Sequence, residues 1–238
     1  MHLKFSPLSE TRKWFFVFHL IFKAESFQKK VRNILFNGKE LHIISNGKIP
    51  VEQLREILMD IHPYVTAIHL REKDKTAREL FEAVELFACA NIPRSKLIIN
   101  DRVDVAIVAK ACGVQLAFHS LHAGIVKKAF PELRVGSSIH SLEEGKSAAM
   151  DGIDYVLYGH VFPSTSKPGK PPKGLGELMW LSQLDIPVIA IGGITPENTK
   201  QVLQTGAAGI AVMSGVLEAR DPLLAVKAYG NALKYGDG

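Results

Sequence analysis

The stretch Ile186–Val216, IPVIAIGGITPENTKQVLQTGAAGIAVMSGV, holds two apolar runs, a helical segment and two small-residue turns. Val188-Ile189-Ala190-Ile191 shows no polar alternation, the pattern of a parallel strand covered on both faces. Gly192-Gly193 ends that run. Thr195 then reads as an N-cap, with Pro196 at the first helical position and Asn198 completing the cap, and the helix closes near Thr205-Gly206. Gly209-Ile210-Ala211-Val212 is the next strand, followed by Met213-Ser214-Gly215. This is a βαβ unit with a glycine-containing turn at the carboxyl end of each strand. Backbone N–H groups and helix N-termini at such turns suit a phosphate, and in a (β/α)8 barrel the loops after strands 7 and 8 commonly form that site. The alternative is that these glycines are tight-turn punctuation and nothing more.

Outward from this unit, strand and helix signals alternate back to Leu41. Leu41-His42-Ile43-Ile44 precedes a helix over Pro50–Ile61, whose Val51, Leu54, Ile57, Leu58 and Ile61 keep a helical period. Tyr64–Leu70 is the second strand, and Thr76 with Glu79 forms a capping box opening a helix to Ala90. Lys96–Ile99, Gly113–Leu116, Leu133–Gly136 and Ile153–Tyr158 are the next strands. Helices follow them over Val103–Ala111, His122–Ala129, Ser141–Met150 and, after a long polar loop, Gly176–Leu184. A last helix runs over Pro222–Lys234. The expected fold class is therefore α/β, a (β/α)8 TIM barrel with an N-terminal extension. A doubly wound sheet would carry its phosphate turn after the first strand, where Ser45-Asn46-Gly47 is no GxGxxG.

A chain of 238 residues, 47% hydrophobic and 22% charged, is long enough for one such domain. Its net charge of +5 is scattered, with no basic stripe interleaved with aromatics, which suits anionic small molecules and not nucleic acid. Cys89 and Cys112 have no zinc-ligand spacing, which fits a reducing, cytoplasmic location. Residues 1–39 read as an N-terminal extension apart from the 40–238 barrel domain. Trp14–Phe22 is apolar but too short to span a bilayer, so no membrane partner is expected. The extension could be a signal peptide, or a leader with a helix from about Phe15 to Leu35.

Chemistry in such a barrel collects at the strand ends. There the chain places His69 and Arg71 on one face of strand two, Asn100-Asp101-Arg102 after strand three, Ser137-Ser138 on strand five, and His160 to Lys167 after strand six. The mouth is cationic and rich in hydroxyls. Asp101 and Ser141 could equally be helix caps, and Glu72-Lys73 solvated charges.

The segments His69-Leu70-Arg71-Glu72-Lys73, Ile99–Asp104, Gly136–Ser141, Asp154–Lys167 and Ile191-Gly192-Gly193-Ile194 resemble the motif series of the thiamine phosphate synthase superfamily, from about Leu41 to Lys234. The resemblance implies a TIM barrel. Synthases of that superfamily join a pyrimidine pyrophosphate to a thiazole phosphate using Mg²⁺.

Two departures from the synthase pattern bear on the branch. Ser120, after Phe118 and His119, stands where the synthase has a metal-holding Asp, which leaves Asp101 as the one acidic ligand. His160 replaces the Pro of the synthase GPVFP-like motif. Both resemble the thiazole tautomerase, or TenI-like, branch. On that resemblance the expected activity is an isomerase, a metal-independent and cofactor-free proton shift that aromatises a carboxythiazole phosphate in thiamine biosynthesis. His160 is then the implied catalytic acid–base. Arg71, Asn100, Ser138, Lys167, Gly192, Gly193, Ser214 and Gly215 are the expected substrate-binding residues. A Schiff base on Lys167 and a transition metal on His119 and His122 are weaker alternatives. Synthase activity and a non-catalytic sensor of thiazole phosphate stay open beside the tautomerase. The partner is a small molecule, and the reading allows a homo-oligomer.

Overall fold

The computed structural model describes residues 38–235. Both readings of the leader, signal peptide and Phe15–Leu35 helix, fall outside the described residues. In chain order the elements are β1 (Glu40–Ile44), α1 (Val51–Ile61), β2 (Ala67–Leu70), α2 (Ala77–Cys89), β3 (Leu97–Asn100), α3 (Val103–Val108), β4 (Gly113–Leu116), α4 (Ala123–Ala129) and β5 (Arg134–Ile139). They continue with α5 (Leu142–Met150), β6 (Tyr155–Gly159), α6 (Gly174–Leu181), β7 (Val188–Ile191), α7 (Pro196–Leu203), β8 (Gly209–Val212), α8 (Ser214–Leu217) and α9 (Pro222–Tyr235). The eight strands pair in sequence order, all parallel, and β8 closes on β1 through Leu41↔Ile210 and its neighbours. This is the expected (β/α)8 barrel.

Local chemistry accounts for most boundaries. Thr76 and Glu79 form the full capping box expected at α2. At α5, Ser141 caps Glu144 N, but the Glu144 carboxylate accepts from His140 N instead of the cap residue. Strand two begins later than expected because Pro63 sits in a 3₁₀ turn over His62–Tyr64. Strand five runs past Gly136 to Ile139, which carries Ser137 and Ser138 to the mouth within regular structure.

Two apolar layers hold the barrel. Outward strand residues such as Leu41, Ile43, Val114, Val156 and Ile210 pack with Leu58, Phe87 and Leu178 of the surrounding helices, all of them fully buried or nearly so. Inside, Ile44, Ala67, Ile98, Leu157, Ile189 and Ala211 pack with Tyr155 in a smaller cluster. The same interior also buries the polar side chains of Glu40, His42, His69 and Gln115.

Candidate functional site at the carboxyl ends of the strands

Each sequence-selected residue lies at the mouth end of its strand or in the loop that follows. Arg71 leaves β2 half-buried, and its backbone N–H donates to Ser45 Oγ at 2.8 Å, which ties it to the end of β1. Burial lowers its pKa from the ordinary guanidinium value, with neighbouring Glu72 working the other way. Asn100 is half-buried at the end of β3. Asp101 follows in a left-handed conformation, φ 67°, and its N–H donates to Gln115 O at 2.8 Å. Ser138 Oγ accepts from Gln115 Nε2 at 3.1 Å.

The segment after β6 is stitched to the glycine turn of β7. Val161 N–H donates to Ile191 O at 2.9 Å and Phe162 N–H to Gly192 O at 3.0 Å. Gly192 and Gly193 have φ of 97° and 66°, a region that side chains disfavour. A Cβ on Gly192 would stand 2.3 Å from His160 Cβ, and one on Gly193 would stand 2.3 Å from Pro163 O. These glycines are therefore required by close packing, whatever they bind.

On the other side of the turn, Asn198 Oδ1 accepts from Thr195 N at 2.9 Å and its Nδ2 donates to Gly193 O at 3.0 Å, so the start of α7 fixes the turn. Ser214 and Gly215 open α8 beside it.

His160 is buried, and its Nε2 lies 3.1 Å from Lys170 O. Its own carbonyl accepts from Lys173 N at 2.9 Å. The residue clamps the loop over 160–174 at two points and brings Lys167, Lys170 and Lys173 together. Burial lowers the Lys167 pKa, and the positive charges of Lys170, Lys173 and Arg71 lower it further. Lys170 and Lys173 were missed in the sequence reading, although their spacing in PGKPPK within a polar loop was a visible signal.

The residues that could hold a metal are few. His119 Nε2 lies 3.8 Å from Asp101 Oδ2, whereas His122 Nε2 lies 3.6 Å from Asp151 Oδ2. The two histidines thus face different carboxylates, which removes the shared transition-metal site. Ser120 Oγ accepts from Ala117 N at 2.9 Å and shapes its own loop. Among the described residues no group of three or more His, Cys, Asp or Glu could hold a metal ion. Asp101 remains as one half-buried carboxylate at the mouth. Magnesium that arrives on substrate phosphates uses one or two carboxylates, so Asp101 fits an ion carried in by a pyrophosphate and not a metal centre formed in advance.

Among the described residues no helix is long and apolar enough to cross a membrane. The family model described as thiamine monophosphate synthase matches residues 41–216. The thiamine-phosphate synthase of Pyrococcus furiosus is 37% identical over 191 residues, covering 79% of this chain and 91% of that protein. The enzyme of the same name from Roseiflexus castenholzii is 40% identical over 169 residues, covering 68% and 73%. A solved thiamine phosphate pyrophosphorylase from Pyrococcus furiosus superposes with a TM-score of 0.71 at 34% identity, over 85% of this chain and 98% of that one.

These relatives overturn the expected isomerase. They are named as synthases, which are transferases, and the tautomerase expectation rested on Ser120, Phe118 and His160 alone. Two of those three have local duties in the fold, Ser120 in its loop turn and His160 in the clamp on Lys170. With its motifs in order along a closed eight-stranded barrel, the chain belongs to the thiamine monophosphate synthase family.

Proposed function

We propose that the protein is a thiamine-phosphate synthase that joins a pyrimidine pyrophosphate to a thiazole phosphate. The observation that carries this reading is the charge distribution of the mouth. Glycine turns at β7 and β8 offer one phosphate site, and the cluster of Lys167, Lys170, Lys173 and Arg71 offers a second place for negative charge. Two phosphorylated substrates need two such places.

The coupling is a displacement at carbon. The thiazole ring nitrogen gives its lone pair to the pyrimidine methylene carbon as the C–O bond to pyrophosphate breaks, and that electron pair leaves with pyrophosphate. No proton has to move in this step. The demand on the protein is alignment of the two rings and stabilisation of a highly charged leaving group.

In this reading the turns at Gly192-Gly193 and Ser214-Gly215 hold the thiazole phosphate, while Arg71 and Lys167 take the pyrophosphate. Asn100 and Ser138 line the space between them, and His160 holds the cationic loop in place. Asp101 would hold a Mg²⁺ bound to the pyrophosphate, and that ion would supply further neutralisation of its charge. A cytoplasmic site of action completes the reading, supported by free thiols on Cys89 and Cys112.

The test is incubation of the full chain with both substrates and Mg²⁺ while thiamine phosphate and free pyrophosphate are measured. Equal amounts of both products are expected. Absence of thiamine phosphate at protein concentrations comparable to substrate would end the proposal.

A further inference from the structure

The loops that follow β3 and β4 meet at one point of the mouth. The two strands are neighbours, with Asn100 opposite Gln115, and just past that pair the Asp101 N–H donates to Gln115 O at 2.8 Å. This bond, with the left-handed φ of 67°, fixes the Asp101 backbone. On the β4 side, Ser120 Oγ accepts from Ala117 N at 2.9 Å and Ser120 N–H donates to Ala117 O at 2.9 Å. His119 is carried on that closed turn, with its ring edge-on to Phe118 at 5.0 Å between centroids. Its Nε2 stands 3.8 Å from Asp101 Oδ2, and both side chains are reached by solvent, His119 exposed and Asp101 half-buried.

That separation is too long for a hydrogen bond. It falls within the range of two atoms that ligate one ion. Ligand atoms each about 2.1 Å from a divalent ion stand between about 3.0 Å apart, at right angles, and about 4.2 Å apart, in line. A plain ion pair tolerates the same distance, and the two cases differ in what a bound ion would report. The imidazole also bears on which ion is preferred: oxygen ligands suit magnesium, whereas an imidazole nitrogen suits the first-row transition ions. Two ligands are too few to hold such an ion alone, and among the described residues no third His, Cys, Asp or Glu completes the group. Pyrophosphate oxygens supply what the pair lacks.

We propose that His119 is a second protein ligand, beside Asp101, to the metal ion that arrives on a pyrophosphate group, and that its nitrogen favours a divalent transition ion of the Mn²⁺ or Co²⁺ kind over Mg²⁺. This rests on the synthase reading for pyrophosphate as the carrier. The nitrogen enters one residue before Ser120, the position at which the synthase motif has a carboxylate, so this chain exchanges an oxygen ligand for an imidazole on the same turn. His122 takes no part, since its Nε2 lies 3.6 Å from Asp151 Oδ2. No bond to carbon is made or broken at His119; its contribution is to hold the ion and to select it.

Electron spin echo measurements on Mn²⁺ bound to the full chain with inorganic pyrophosphate read the ligand directly. The wild type is expected to show the echo modulation of a directly bound imidazole nitrogen, and protein labelled with ¹⁵N-histidine should show the ¹⁵N pattern in its place. A bound ion without nitrogen modulation overturns the proposal and leaves His119 and Asp101 as a plain ion pair.

His119→Gln keeps a polar side chain on the loop and should abolish the nitrogen signal, whereas His122→Gln should leave it intact. Displacement of the bound Mn²⁺ by added Co²⁺ or Mg²⁺ reads the preference. The ratio of Mg²⁺ to Co²⁺ needed for equal displacement should fall by about tenfold in His119→Gln, as for loss of one nitrogen ligand. An unchanged ratio, or a nitrogen signal lost in His122→Gln and kept in His119→Gln, overturns the proposal. A nitrogen-coupled ion in a protein that forms no thiamine phosphate counts against the synthase reading alone, because the ligand is read without turnover. Failure of Mn²⁺ and pyrophosphate to bind at all overturns both.

Discussion

The hydroxyl of Tyr229, on the last helix, donates to the carbonyl of Ile194 at 2.9 Å, just past the glycine turn of β7. The same hydroxyl stands 2.3 Å from the position a Cβ would take on Gly215. One side chain thus supports both of the turns assigned to the thiazole phosphate. Tyr229→Phe leaves the Ile194 carbonyl unpaired in a buried place and should cost about 1–3 kcal/mol in urea unfolding. Gly215→Ala should be destabilising in the wild type and clearly less so with Phe at position 229, because the crowding atom is then gone. A double-mutant cycle with no coupling would contradict this geometry.

Gly193 cannot serve as a simple probe of phosphate binding. Any side chain there meets Pro163 O and an unfavourable φ of 66° together. Gly193→Ala should lower stability by at least about 1–2 kcal/mol, before any ligand is considered. Thermal melts of the unliganded variant check this, and an unchanged midpoint would show that the segment after β6 moves aside freely.

In the synthase reading the cationic loop handles the pyrophosphate. Lys167→Ala should raise the KM for pyrimidine pyrophosphate by about tenfold and leave that for thiazole phosphate little changed, and the difference should shrink with added salt. Because the Lys167 pKa is lowered, its charge is lost at a less alkaline pH than that of an ordinary lysine. Affinity for the pyrophosphate substrate should decline correspondingly early as pH rises. Steady-state kinetics for each substrate across pH reads both effects.

Metal dependence offers a gain-of-function test. With Asp101 as the carboxylate assigned to the ion in the synthase reading, half-maximal activity should require a high Mg²⁺ concentration, and a chelator should abolish turnover. Ser120→Asp adds a second carboxylate on the β4 loop and can still accept from Ala117 N. The Mg²⁺ concentration needed should fall by several-fold. An unchanged requirement would mean that position 120 does not face the metal.

A polar column in the barrel interior, from Arg134 through Glu40 and His42 to His69, predicts acid sensitivity. His42 and His69 have pKa values lowered by burial, so the folded state keeps them neutral where the unfolded chain protonates them. Their stabilising contribution is complete above the ordinary histidine value of about 6.5 and is lost as pH falls below it toward the folded values, by about 1.4 kcal/mol per pH unit for each ring. Glu40 acts in the same direction at lower pH: burial raises its pKa, but His42 and Arg134 pull it down further. Among the described residues, the titratable groups that meet in this part of the interior include Glu40, His42, His69, Arg134, Tyr155 and Cys112. Urea midpoints measured between pH 7.5 and 4.5 should fall steadily, and the slope should flatten in His69→Asn.

The barrel was legible in the sequence because each strand and helix carries its own local signal. The apolar run at β7, the Thr195-Pro196 opening of α7 and the Thr76–Glu79 box need no distant partner to be read. The mouth residues followed from the position of strand ends. The polar column was not legible, since the approach of Arg134 to Glu40 joins positions 94 residues apart across the closed barrel. Alternation grouped His69 with Arg71 on one face of strand two, but no pattern in one dimension joins that face to Glu40 and His42. The branch of the family was misread for a related reason. Ser120 and His160 stood out as departures from a motif, while their partners, Ala117 N and Lys170 O, are visible only in three dimensions.

The segment that leaves β6 ends almost where it began. Lys173 N–H returns to His160 O and Gly174 N–H to Val161 O, at 2.9 and 3.0 Å. Beyond Phe162 and Pro163, which stay packed on the glycine turn of β7, such a closed excursion is set apart from the strands, and doubling its length would cost only about 0.6 kcal/mol of chain entropy. Residues 164–172 can therefore be exchanged, added or removed while the strands keep their register. Descendants of this chain could acquire a different leaving group, or a longer substrate, through changes confined to that excursion, with the barrel inherited intact.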